Sequence, residues 1–342
     1  MSQYILLRNV QVENANAISG ITYGFPSPTH FLGYTHNLSR TLQQRFGDLA
    51  SFGGVGIICH AHQVQSHRIG YETIFSLTRN PITHEGKTAP FNEEGRMHFT
   101  VSLLIECNFD VLDLEQSDGT PEQREKEFCT WLRKKAEAQR LAGGTISKID
   151  MLKVLHIDSN SDEGEREFRR WMLRLIPGFV LQDRHDALVA HHQVSLQHDA
   201  KTKLLDSWLD FVALDSEALL PEDFESEPIE GETPATWSLK SKPETGYFVP
   251  LMVGFESISE LYQPGVVVRA RDNTVPFRFV ESAYSLGQWV GPHRIQSPCE
   301  MLWHYHYEED EQGAGRYLCR SKTASHKTVS EDADSNFFDD DY

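Results

Sequence analysis

Hydrophobic residues recur along the chain at two spacings, and the switches between them divide it into elements. Tyr4 to Val12 is a run rich in Ile, Leu and Val that predicts a strand. Glu13 to Gly20 is small and polar, which predicts a loop. After Gly24-Phe25-Pro26-Ser27-Pro28 the spacing turns helical, with Phe31, Thr35, Leu38, Leu42 and Phe46 forming one apolar stripe. Ser27 suits an N-cap, and Pro28 suits the first helical position, where a missing N–H costs nothing. Gly53-Gly54 reads as the break before a short buried strand, Val55 to Cys59, and His60 to Arg68 as a polar segment.

Asn80 to Gly95 holds two prolines and two glycines and predicts a long exposed loop or hairpin tip. His98 to Cys107 reads as a strand. Pro121 to Leu141 reads as a helix, acidic early and basic late as its dipole favours, ended by Gly143-Gly144. Ile146 to Ile157 predicts a strand, Arg166 to Leu175 a helix stopped before Pro177, and Asp199 to Leu214 a further helix. Strands resume at Tyr247 to Phe255, Val266 to Ala270, Pro276 to Tyr284, Met301 to Tyr307 and Arg316 to Arg320. This order predicts an α+β fold around an antiparallel sheet, and a ferredoxin-like βαββαβ unit with large insertions fits it.

Charge changes the picture only locally. The 342 residues carry a formal net charge of −18, which argues against a generic basic nucleic-acid binder. Asp215 to Glu232 holds eight acidic residues and no Lys or Arg, and Glu308 to Tyr342 holds ten acidic and four basic residues, so the rest carries only −4. The expected organisation is a core with insertions over residues 1–214, an acidic loop or linker over 215–236, strands completing the core over 237–320, and an acidic disordered tail over 321–342. The five cysteines have no short CxxC spacing and read as reduced thiols. With no signal peptide and no apolar run of ~18 residues, the expectation is a soluble cytoplasmic protein without a membrane partner.

Signatures of catalysis are missing: the chain has no GxxxxGK[ST], GxGxxG after a strand, HExxH or GxSxG. Sixteen histidines include His60-Ala61-His62, which period-two alternation places on one side of a strand. No HxH pair has a carboxylate at a recognised metal spacing, so the histidines read as surface or polar-contact residues. Neither a metal nor a cofactor is expected.

Two clusters offer recognition chemistry instead. In the first, Asn14, Asn16 and Ser19 supply short donors and acceptors, Tyr23 and Phe25 follow, and the run ends at a helix N-terminus carrying Ser27. Free amides there favour phosphate, and adjacent rings can stack on an unpaired base. The alternative is that Phe25 staples the helix and the asparagines satisfy turns. In the second, Pro276-Phe277-Arg278-Phe279 through Tyr284 to Trp289 and Pro292-His293-Arg294 interleaves rings with guanidiniums, with Arg269 and Arg271 upstream. That suits single-stranded RNA. A sheet with one buried face and solvated arginines is the alternative.

These two clusters, with Val55-Gly56-Ile57-Ile58-Cys59-His60, resemble the second Csy subunit family, the Cas-five-type proteins of type I-F CRISPR surveillance complexes. The resemblance implies a non-catalytic RAMP protein on an RNA-recognition-motif-like, ferredoxin-like fold that holds the 5′ handle of the CRISPR RNA. It further implies that the protein caps a filament of Cas-seven-type backbone subunits, usually pairs with a large subunit, and serves target DNA surveillance in the assembled complex. Phe75 to Arg96 would correspond to the family's thumb-like hairpin. The expected handle contacts are Asn14, Asn16, Ser19, Tyr23, Ser27, His60, His62, Arg68, Arg278, Tyr284, His293 and Arg294. Two alternatives stand beside this reading. One is a RAMP-type RNA-processing endonuclease using His60, His62 or His67 as acid or base. The other is a subunit that reads the protospacer-adjacent motif in a reduced complex without a large subunit.

Overall fold

The computed structural model describes residues 2–48, 50–79, 82–89, 91–114, 119–158, 161–219, 236–309 and 314–322. The first strand, β1 (Ser2–Asn16), runs past Val12 to the end of the expected loop, because Ala15 and Asn16 still pair with Met97 and Arg96. A small ribbon follows, β2 (Ile18–Ser19) against β3 (Thr22–Tyr23). Helix α1 (Pro28–Phe46) buries the predicted stripe, including Phe31, Leu38 and Leu42. It ends at Gly47, whose φ of 90° suits glycine. Gly53 and Gly54 are therefore not the break; they lie inside β4 (Phe52–Val64), where bare Cα atoms admit the side chains of Glu106 and His304.

The segment expected to be merely polar is strand as far as Val64. It continues as the hairpin β5 (Ser66–Ile69) and β6 (Glu72–Phe75), and β7 (Leu77–Arg79) then pairs with β8 (Phe91–Glu93). Between them Thr83 N–H donates to Lys87 O at 2.9 Å in an exposed turn, as the prolines and glycines predicted. Next come β9 (Arg96–Cys107), the short α2 (Val111–Leu114) and α3 (Pro121–Glu137). Thr120 and Gln123 form a reciprocal capping box at the start of α3. The helix stops before the predicted Leu141, because Arg140–Leu141 form β10, which turns at Ala142-Gly143 into β11 (Gly144–Ile157).

Helix α4 (Asp162–Leu173) starts one turn earlier than expected, where the Ser161 Oγ accepts the Gly164 N–H at 3.2 Å. β12 (Phe179–Asp183) and α5 (His185–His198) were not anticipated, and the helix expected over 199–214 is shorter, α6 (Leu204–Val212). The acidic segment is flanked by a ribbon of β13 (Ser216–Leu219) and β14 (Thr236–Leu239); its residues 220–235 lie outside the described residues, as do residues 323–342 of the expected tail. β15 (Tyr247–Ser257), β16 (Val280–Val290), β17 (Leu302–Glu309) and β18 (Gly315–Ser321) complete the chain. Two expected strands need correction. Val266 to Ala270 turns instead of extending, with Arg269 at φ 63°. Pro276 to Phe279 makes only a bridge, Phe277 to Tyr262, before the strand proper begins at Val280.

The molecule is α+β, and its ten-stranded sheet runs β10-β11-β1-β9-β4-β12-β16-β15-β18-β17, every neighbour antiparallel. Within β11-β1-β9-β4, α1 joins β1 to β4 and α3 joins β9 to β11. Both helices bury the same face, where Phe31, Leu38, Phe128 and Leu132 meet Ile5, Leu7, Val10 and Ile57. The opposite face is half covered: Phe168, Trp171 and Met172 of α4 pack on Tyr4, Leu6, Ile58 and Leu104. Beyond β4 the sheet closes on itself. The free edge of β4 gives Val55 and Gly56 to β17 and Ile58 and Cys59 to β12, so β12-β16-β15-β18-β17 returns to β4 as a ring. Trp303 fixes the closure, fully buried, with its Nε1–H donated to Leu181 O at 2.9 Å. Among the described residues no helix is long and apolar enough to cross a membrane.

Candidate nucleic-acid interface

The two clusters from opposite ends of the sequence meet in space. The Ala17–Gly24 loop is closed by a Gly24 N–H to Ala17 O bond at 2.9 Å and tied to Gly95 O through the Ala17 N–H at 2.8 Å. Tyr284 of β16 pins it: its Oη accepts the Ile21 N–H at 2.8 Å, against a bare Gly20 whose added Cβ would lie 1.9 Å from that oxygen. Phe25 packs on Phe31, Phe99 and Trp289, with ring centroids 5.6, 5.8 and 5.0 Å away. It is thus the staple of the alternative reading, and it also seats the loop on β16.

Much of the predicted polar chemistry is spent on holding this loop. Ser19 is buried and its Oγ donates to Phe25 O at 3.2 Å. Ser27 sits at the N-cap position but is fully buried, and its Oγ bonds Thr29 and His30 instead of an amide of the helix. Asn16 closes an Asx turn, donating to Ile18 O at 2.8 Å and accepting the Ile18 N–H at 3.1 Å. Burial holds His30 below the ordinary imidazole range, so it stays neutral beside Asn16. Asn14, at φ 58°, keeps an exposed side chain while its N–H donates to His98 Nδ1 at 3.2 Å. Tyr23 is 58% exposed, its ring edge-on to Phe75 of β6 at 5.4 Å.

The histidines do not share a face. The register of β4 against β9 shifts between Cys59 and Ala61, a bulge that breaks period-two alternation. His60 stays with Ser102, whereas His62 falls opposite the buried Phe99. His60 Nδ1 lies 2.7 Å from Pro177 O and must donate to it, so Nε2, 2.6 Å from Ser102 Oγ, is the acceptor. Burial lowers its pKa and favours this neutral form. His60 therefore docks the Pro177 turn onto the sheet. His62 is exposed, and His67 and Arg68 are exposed on the β5–β6 hairpin, where Arg68 Nε–H donates to Gly70 O at 3.0 Å.

Arg278 is mostly buried and pairs with Glu309 at 3.6 Å, so it braces the β17–β18 end of the ring. His293 and Arg294 lie exposed in the 3-10 turn Pro292–Arg294 that follows β16. Among the described residues no group of three His, Cys, Asp or Glu could hold a metal ion.

Two concavities border His62, one of them also the Ala17–Gly24 loop, whereas Arg68, Arg278, His293 and Arg294 line neither. A cavity of about 530 Å³ opens between the loop (Ser19, Tyr23, Phe25), Cys59 and His62 of β4, Phe179 and Leu181 of β12, Tyr247 and Leu251 of β15, and Trp289. On the uncovered end of the central sheet, a shallow polar groove of about 610 Å³ passes Gln11, Glu13, Gln63, His98 and Ser147. Sequence reasoning missed Phe179 and Tyr247, two of the three exposed rings at the cavity mouth. Tyr247 opens a predicted strand, which marked its place but not its role, and Phe179 belongs to a strand too short to register.

A family model described as CRISPR-associated protein (Cas_Csy2) matches residues 5–319. The CRISPR-associated protein Csy2 of Pseudomonas aeruginosa (strain UCBPP-PA14) is 36% identical over 320 residues, covering 90% of this chain and 92% of that relative. Both clusters and the cavity between them fall within the matched span. On a match of this extent and identity, the chain belongs to the Csy2 family of CRISPR-associated proteins.

Proposed function

We propose that this chain is a non-catalytic CRISPR RNA-binding subunit of a type I-F Cascade-like complex. It holds the 5′ handle, caps the filament of Cas-seven-type subunits, and meets target DNA only in the assembled complex. The observation that carries the reading is the bond between the two clusters: a loop at one end of the sequence is pinned by Tyr284 near the other, with a ring-lined cavity at the seam. The strand order β11-β1-β9-β4, with α1 and α3 on one face, supports a ferredoxin-like RAMP core beneath it. The dispersal of His60, His62 and His67 supports a binding role over cleavage.

Within the site the roles divide. Asn14, Tyr23, His62, Arg68, His293 and Arg294 face solvent and contact RNA, whereas Asn16, Ser19, Ser27, His60, Arg278 and Tyr284 position the surfaces that do. Purification of a tagged full-length copy from cells carrying the CRISPR locus tests the reading. A short guide RNA of uniform length should accompany the protein, crosslinking to the Ala17–Ser27 loop or to the β16–Arg294 run. Complexes devoid of guide RNA, or crosslinks confined to other surfaces, would refute it.

A further inference from the structure

The mouth of the cavity carries three exposed rings, Tyr23, Phe179 and Tyr247 (58, 58 and 69% exposed), above the buried Leu181 and Leu251. Clustered rings over an apolar floor mark a surface built to be covered. The sequence beyond β18 contains a matching occupant. Residues 331–342 read Glu-Asp-Ala-Asp-Ser-Asn-Phe-Phe-Asp-Asp-Asp-Tyr, three rings among six carboxylates with no Lys or Arg. Planar rings flanked on both sides by negative charges resemble the chemistry of single-stranded nucleic acid, which is bases and phosphates. The family match stops at residue 319, so this segment lies outside it.

The exit point also fits. β18 ends at Ser321, whose N–H donates to Asp183 Oδ2 at 3.0 Å, and Asp183 closes β12, the short strand that gives Phe179 and Leu181 to the cavity. From Lys322 to Phe337 an extended chain spans up to about 50 Å, against a radius of gyration of about 20 Å for a chain of this length. A tether of that length sets an effective concentration on the order of millimolar, enough to fill a site of modest affinity.

We propose that, in the absence of guide RNA, Phe337 and Phe338 dock in this cavity of their own chain as a mimic of nucleic acid. The flanking carboxylates repel phosphates, and the handle displaces the segment on assembly. The identity of the displacing ligand rests on the handle-binding reading; the docking itself does not.

The test uses a fluorescein-labelled peptide of residues 331–342 and three full-length chains: wild type, Phe337→Ser/Phe338→Ser, and the latter with Phe179→Ser and Tyr247→Ser. Anisotropy should show the peptide binding the double variant, and binding wild type about tenfold more weakly because the cavity is already filled. The rim substitutions, at exposed positions, should abolish binding. A double variant that ignores the peptide, or a rim variant that binds it equally well, overturns the docking. A single-stranded RNA of unrelated sequence should bind the double variant about tenfold more tightly than wild type; equal affinity overturns the competition. If the peptide docks as expected while neither chain binds handle or unrelated RNA, docking is upheld and the handle reading is the one that fails.

Discussion

Gly20 shows how closely a single residue can couple the two ends of this sequence. Its φ of 60° already disfavours a side chain, and the Tyr284 Oη occupies the space a Cβ would need. Gly20→Ala should therefore cost more than the ~1 kcal/mol of a positive-φ alanine, with the loop lifting from β16, and limited proteolysis should cut first between Ala17 and Ser27. Tyr284→Phe keeps the ring but removes the acceptor for the Ile21 N–H, a loss of about 1 kcal/mol that a denaturation midpoint would register. Glu106 is a second such point. The His304 imidazole at 2.9 Å, helped by the Gly54 N–H at 3.1 Å, holds its carboxyl down to about 2 from an ordinary 4.5. A depressed carboxyl contributes stability that is complete above its unfolded value and lost as pH falls through its folded value. The denaturation midpoint should thus decline between about pH 4.5 and 2, and Glu106→Gln should remove much of that decline. An unchanged acid limb in the variant would mean that other carboxylates carry it.

Within β4 the bulge after Cys59 separates two histidines that strict alternation would align. His60→Ala should lower thermal stability, since it removes a bridge to Pro177 O and Ser102 Oγ in a half-buried setting. His62→Ala, at an exposed position on the cavity, should leave the melting temperature unchanged and weaken handle binding; the reverse pattern would contradict the assignment. That bulge has no signature in the residues themselves, which is why the sequence misplaces one imidazole. Other elements follow the same logic. α1 and α3 were legible because each buries one stripe at helical spacing, α1 behind its Pro28 start signal and α3 with acid in its first turn and base in its last. α5 was not, because apolar and polar residues alternate around it without a stripe, and only Ala187, Leu188 and His192 are buried. Val266 to Ala270 has strand-forming residues but no neighbouring edge, and pairing, not propensity, makes a strand.

At the scale of the whole molecule, charge separates this site from an ordinary nucleic-acid surface. The two acidic stretches account for most of the −18, and several arginines of the body are engaged by carboxylates: Arg278 pairs with Glu309, Arg184 with Glu244, Arg316 with Glu256 and Arg96 with Glu94. Arg68 and Arg294 are the exposed arginines among the proposed RNA contacts, with Arg269 and Arg271 exposed upstream of the second cluster. The sequence made both clusters visible and their chemistry plausible. It could not show that Arg278 and Arg316 were already paired, because their partners Glu309 and Glu256 lie on strands distant in sequence or across the ring. Few cations among those contacts imply few released counterions. For single-stranded RNA each neutralised phosphate contributes about −0.7 to the slope of log K against log salt, so two to four contacts predict a slope of about −1.4 to −2.8. Arg294→Ala should make that slope shallower by about 0.7. Tyr23→Ala should weaken binding by about 1–3 kcal/mol, the worth of one stacked base, with the slope unchanged. Handle-RNA titrations across about 50 to 300 mM salt would separate the two effects. A slope much steeper than −3 would require more cations than the proposed contacts supply, and would move the grip on the guide to other surfaces of this chain or to its neighbours in the complex.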